Sequence, residues 1–115
     1  MRFVRSIALV AILSLTGCHS AWIDATVSNR TPETLIGVEV DYPSASFGTQ
    51  TLAAGADFHY RFKVIGSGPT SLLWTDLAHH DHKVPGPALH ENEEGTLAVA
   101  VTPNGAAWNL HPLNR

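Results

Sequence analysis

The sequence predicts an all-β fold, with seven to eight short strands packed as two sheets. Apolar and polar residues alternate with period two in four separate segments, the pattern of strands that bury one face. No segment carries the i, i+3, i+4 apolar spacing over helical length. Turn-forming clusters recur at intervals of roughly 8–15 residues, the rhythm of a sandwich or barrel.

The first strand is expected at 21–29, where Ile23, Ala25 and Val27 alternate with Asp24, Thr26 and Ser28. Thr31-Pro32-Glu33 breaks the chain before a second strand at 34–42, with Ile36, Val38, Val40 and Tyr42 inward and Glu39 and Asp41 outward. A third is placed at 46–52, ahead of Ala53-Ala54-Gly55. The fourth, at 56–65, is the clearest: Phe58, Tyr60, Phe62 and Val64 face a core while His59, Arg61 and Lys63 face water. Gly66-Ser67-Gly68-Pro69 separates it from strands at 70–76 and 80–85, and Pro85-Gly86-Pro87 and Glu94-Gly95 punctuate the second half of the chain. Leu97, Val99 and Val101 mark a strand at 96–102. Pro103-Asn104-Gly105 is the sharpest turn signal, because Pro presets the first turn position while Asn and Gly tolerate a left-handed backbone. A last strand is placed at 106–111.

Composition narrows the function classes. The chain of 115 residues makes one domain at most, and 44% hydrophobic residues with a net charge of −3 argue against disorder. One cysteine excludes an internal disulfide and any multi-thiolate metal site. Seven Lys and Arg against ten Asp and Glu leave no basic excess for nucleic acid.

Arg2 and Arg5 precede the uncharged run from Ile7 to Leu15, the basic-then-apolar order of a secretory signal peptide. The run is too short for a permanent spanning helix, which takes about 20 apolar residues. It ends in Leu15-Thr16-Gly17-Cys18, which resembles the lipobox of bacterial lipoproteins: Leu three before the Cys, and a small residue directly before it. The resemblance implies that 1–17 is a lipoprotein signal peptide and 18–115 a single domain, with diacylglycerol on the Cys18 sulfur and a fatty acyl group such as palmitate on its amine. Two or more acyl chains anchor stably where one holds only marginally. His19 follows the Cys, where Asp resembles an inner-membrane retention signal of enteric bacteria. The outer membrane, facing the periplasm, is therefore the expected location. Losing 17 of 115 residues leaves 98, with five basic residues, ten acidic and no methionine, which counts against a thioether copper site.

A chain of this length and strand rhythm resembles the immunoglobulin-like or fibronectin-type architecture, an antiparallel β-sandwich with aromatic strand residues between its sheets. The resemblance spans the mature chain and rests on rhythm, since the paired cysteines of antibody domains are absent. Ser20 and Ala21 leave almost no tether between the anchor and the first strand, so the domain is expected to sit close to the membrane.

The richest chemical constellation is Asp76-Leu77-Ala78-His79-His80-Asp81-His82, with His90 further on. Imidazole and carboxylate donors suit Zn²⁺, Ni²⁺ or Cu²⁺, and on a strand His80 and His82 share one face, with Asp76 or His90 as a third ligand. The same run also reads as a solvated hairpin loop, and no established zinc spacing such as His-Glu-x-x-His is present. The stripe His59, Arg61, Lys63 suits anionic headgroups or an acidic partner, or else keeps the sheet soluble, paired across strands with Glu39 and Asp41. Glu91-Asn92-Glu93-Glu94 lacks the spacing of a calcium loop. Trp74 reads as core, while Trp22 and Trp108, in the first and last strands, are candidates for a shared aromatic surface. Asn29-Arg30-Thr31 is formally a glycosylation sequon, without meaning in a bacterial lipoprotein. No Gly-x-Ser-x-Gly elbow or Ser-x-x-Lys pair is present. A sandwich this small is expected to have little room for a deep pocket of several hundred Å³.

The expectation is a non-catalytic interaction or structural module of the cell envelope, anchored through lipid on Cys18. It needs no cofactor, avoids nucleic acid and meets an envelope protein through sheet edges and loops remote from the lipid. The alternative is a periplasmic divalent-metal-binding protein using His79, His80, His82 and His90.

Overall fold

The computed structural model describes residues 20–113, so the leader at 1–17 and the lipidation of Cys18 lie outside the described residues. Eight strands form: β1 (Ile23–Asn29), β2 (Leu35–Tyr42), β3 (Ala45–Leu52), β4 (Asp57–Phe62), β5 (Gly68–Thr75), β6 (Asp81–Leu89), β7 (Gly95–Thr102) and β8 (Gly105–Pro112). Each occupies a segment expected from the sequence. The largest differences are that β4 stops at Phe62 and that β6 runs through Pro85-Gly86-Pro87 to Leu89. Proline lacks the N–H of a central ladder, and β6 tolerates two of them because it is an edge strand.

The strands pack as two four-stranded sheets, ordered β4-β1-β7-β8 and β3-β2-β5-β6. β1 pairs antiparallel with β4, and β2 with β5, one such pair in each sheet. The second and fifth, and the third and sixth, strands of an immunoglobulin domain are neighbours in the same interlocked way. The sandwich is not wholly antiparallel, however: β1 lies parallel to β7, from Ile23 opposite Gly95 to Asn29 opposite Val101. Alternation reports which face of a strand is buried and carries no information about a neighbour's direction. Here β6 ends beside the start of β1, so a β7 that crosses to the other sheet must run the same way as β1.

The core lies between the inner faces, with Ile23, Val27, Leu97, Val99 and Val101 from one sheet meeting Leu35, Val38, Val40, Leu72 and Trp74 from the other. Ile36 was expected inward, but Leu35 takes the core position and Ile36 is half-buried. Gly37 is the cause. Its φ of +58°, cheap only for glycine, accompanies a register shift of β2 against β5 between Ile36 and Glu39.

Tyr60 was expected in the core and is 44% exposed. It shares its sheet face with Phe62, but β4 is an edge strand, so the ring stands at the open side of the sandwich, stacked on Phe47 with centroids 4.6 Å apart. Tyr42 and Phe62, stacked at 4.0 Å, close the same side. The other side is closed by Trp108, whose indole lies against Gly86, where an added Cβ would come within 2.6 Å of the ring.

Strand direction divides the molecule into two ends. The connections β1–β2, β3–β4, β5–β6 and β7–β8 lie at the Asn29 end, and the other three lie at the Ile23 end, where Ser20 enters. At about 3.3 Å per residue, β1 holds the two ends roughly 20 Å apart.

Candidate functional site

The Asn29 end is built around one buried polar side chain. Asn29 Nδ2 donates to the carbonyls of Glu33 at 2.7 Å and Leu52 at 2.9 Å, while its Oδ1 accepts from the Thr31 N–H at 3.0 Å and hydroxyl at 2.7 Å. Those four bonds fasten the β1–β2 loop to the end of β3. Beside them, Arg30 pairs with Asp57 at 3.1 Å. The Ser28 hydroxyl and Arg30 both favour the ionised Asp57 carboxyl, which is held below its ordinary value.

Asp76 organises the β5–β6 hairpin in the same way. Its Oδ1 accepts the N–H groups of Ala78 at 2.9 Å and His80 at 3.0 Å, and its backbone exchanges bonds with His79 and His80. His79 is carried at φ +67° to close this turn. Oδ2 receives His82 Nε2 at 2.8 Å, and His80 Nδ1 lies 3.7 Å from the same oxygen. His82 faces Trp74 across the ladder, so its imidazole lies nearly parallel over the indole, 4.8 Å away at 11°. The His82 hydrogen bond, joined by the two backbone N–H groups, lowers the Asp76 carboxyl to about 2.

Between these two loops the sheets part to leave a cleft of about 510 Å³. Trp74, Leu35, Val84 and Val101 form its apolar walls, and Thr31, Glu33, Asp76, His82, Lys83 and Asn104 its polar lining. The cleft lies open to solvent at the end of the sandwich, so it is not the deep pocket for which little room is expected. The interior of a sandwich this size is filled, but its end is bounded by loops, and space remains where the β1–β2 loop and the β7–β8 turn stand apart.

The histidine cluster is only partly assembled. His80 and His82 converge on Asp76, whereas His90 follows the far end of β6, about 25 Å away at strand spacing. Among the described residues, no three His, Cys, Asp or Glu side chains are grouped to hold a metal ion. The cleft also offers the oriented imidazole of His82 without a free hydroxyl beside it: Thr31 Oγ1 already donates to Asn29, and Thr102 Oγ1 is engaged with Gly105.

The cross-strand pairing proposed for the basic stripe does not form. β2 and β4 belong to different sheets, so Arg61 meets Asp24 at 3.7 Å on neighbouring β1. Glu39 and Asp41, left beside each other, raise the Glu39 carboxyl above its ordinary value. Trp22 and Trp108 share no surface, because β7 stands between β1 and β8 and Trp108 packs toward the core. In the sequence Asn29 stands out only as part of a formal sequon, although Asn two residues before Thr is also the spacing of a side-chain-capped turn.

No family model and no curated protein matches the sequence. Among solved structures, the chain is similar to a protein from Eubacterium rectale determined by NMR, at 10% identity. The likeness covers 82% of this chain and 90% of that one with a TM-score of 0.55, and at such identity it speaks for the fold alone: an all-β sandwich of two sheets.

Proposed function

We propose that the protein is a lipid-anchored lipoprotein of the cell envelope whose domain is a non-catalytic interaction module, meeting an envelope partner through the loops and cleft of the Asn29 end. The anchor rests on Leu15-Thr16-Gly17-Cys18 behind the basic and then apolar leader. The observation that carries the interaction reading is the polarity of the sandwich. The chain leads back toward Cys18 at the Ile23 end, while the cleft and four connections stand at the other. A domain tethered at one end presents the opposite end to a partner.

A divalent-metal role is the second reading, favoured by the convergence of His80 and His82 on one carboxylate oxygen. Its first donors would be His80 and His82, with Asp76 as third ligand only if binding rearranges the hairpin, since the three do not stand grouped for a metal among the described residues. Saturable micromolar Zn²⁺ or Cu²⁺ binding, lost on replacing both histidines by Ala, would put it first.

The test of the leading reading places a photo-reactive residue at Asn104 in living cells. A discrete cross-link to an envelope protein is expected, and it should vanish when Cys18→Ala releases the domain. No cross-link from Asn104, or the same one from the released form, overturns the tethered module. A mature mass beginning at an unmodified Cys18 overturns the anchor itself.

A further inference from the structure

The Ile23 end, opposite the cleft, carries exposed apolar and cationic side chains around the half-buried Trp22. Trp22 immediately precedes β1 and, by alternation with buried Ile23, lies on the outer face of its sheet. Phe62 of β4 is opposite Ile23, which sets Arg61 and Lys63 outward on either side of it. The Arg61 guanidinium lies 4.9 Å and Lys63 Nζ 5.9 Å from the Trp22 ring centroid. Ile65, 64% exposed, and Leu113, 59% exposed, belong to the same end. The Val64 carbonyl accepts the Asn92 N–H, Leu113 N–H donates to Glu94, and Gly95 N–H donates to Trp22.

Where the chain goes next identifies what meets this surface. Cys18 is four residues before Trp22, a reach of at most about 14 Å even when fully extended. The polar layer of each leaflet is itself roughly 5–7 Å deep. An indole with flanking cations is the side-chain set that settles at a bilayer interface, with its ring among the headgroups and its cations on phosphate. Glu91, Glu93 and Glu94 lie on the β6–β7 loop at this same end, and Asp24 is paired with Arg61, so net charge does not steer the contact.

We propose that Trp22, Arg61, Lys63, Ile65 and Leu113 form a seat on the phospholipid headgroup layer, which holds the domain upright with its cleft directed away from the bilayer. This rests on the lipid-anchored reading of Cys18. The seat turns a tether into an orientation: a swivelling domain would present every face, and a seated one presents only the Asn29 end.

Cys18 is the sole thiol, so the full chain can be coupled chemically to a maleimide lipid in phosphatidylethanolamine–phosphatidylglycerol vesicles, whatever the cell does to it. With headgroup-spin-labelled lipid present, Trp22 emission should be quenched at least twofold, and Trp22→Phe should remove the quenched component. Asn104→Trp in the Trp22→Phe chain should stay unquenched. Arg61→Glu with Lys63→Glu, both exposed, should halve the Trp22 quenching while leaving the far-ultraviolet spectrum unchanged. Equal quenching at positions 22 and 104, or quenching indifferent to the charge reversals, overturns the seat alone. An unacylated Cys18 in the mature cellular chain removes the anchor and the occupant of the seat together.

Discussion

Asn29 has no exposed surface, yet it is polar, and every hydrogen-bonding position of its amide is used. Burying an amide is tolerable only under that condition, because an unpaired buried polar group costs about 1–3 kcal/mol. Asn29→Leu leaves the Glu33 and Leu52 carbonyls and both Thr31 donors without this partner. The expected loss is roughly 2–4 kcal/mol in a urea or guanidinium unfolding curve. A loss below about 0.5 kcal/mol, the range of ordinary surface changes, would mean that water replaces these bonds. The residue type and its spacing to Thr31 were visible in the chain; the burial was not, because it depends on Leu52 arriving from β3. Trp108 is the converse case. Among the described residues its buried indole nitrogen has no acceptor, and the ring covers Gly86.

At the scale of elements, the β5–β6 hairpin depends on a carboxylate. Folding holds Asp76 at about 2 against an ordinary 3.8, so the fold favours the ionised form. That contribution is complete above an ordinary carboxyl pKa of about 4 and fades as pH falls through about 2. The amide resonances of Ala78 and His80 should therefore shift with a midpoint near 2, not near 4, and Asp76→Asn should abolish the titration. A midpoint near 4 would mean that the loop is not capped by Asp76 in solution. The β2–β3 hairpin has a conformational cost of its own: Ser44 sits at φ +78° after Pro43, a turn position that glycine usually takes. The sandwich edges are likewise unequal. β6 is blunted by Pro85 and Pro87 and β4 by His59 and Arg61, whereas β3 carries neither proline nor charge.

For the whole molecule, the parallel β1–β7 pair joins the first strand to one about 70 residues later in the chain, and loop closure must precede any gain from it. Three strand pairs, β1–β4, β1–β7 and β2–β5, join strands that are not consecutive in the chain, so refolding in the millisecond-to-second range of all-β domains is expected from stopped-flow fluorescence. A chain ended after Glu94 lacks Leu97, Val99 and Val101 from the core and the central partner of β1. It should show a collapsed, undispersed amide spectrum. Native dispersion in that truncated form would mean that the first six strands are autonomous.

Strand positions and buried faces were legible in the chain alone, because side-chain alternation and turn chemistry act between near neighbours. Ile23, Val27, Val40, Phe62 and Val101 therefore landed where their pattern placed them. Pairing does not reduce to near neighbours. Arg61 found Asp24 and not Glu39, β7 lay parallel to β1, and Leu35 displaced Ile36 once Gly37 bulged β2. The candidate site divides along the same line. The richness of Asp76, His80 and His82 could be read from composition, but the stack of His82 on Trp74, the exclusion of His90 and the cleft beside Asn29 could not. Each depends on which strand ends the two sheets bring together, a choice made by the free energy of the packed core and not by any local segment.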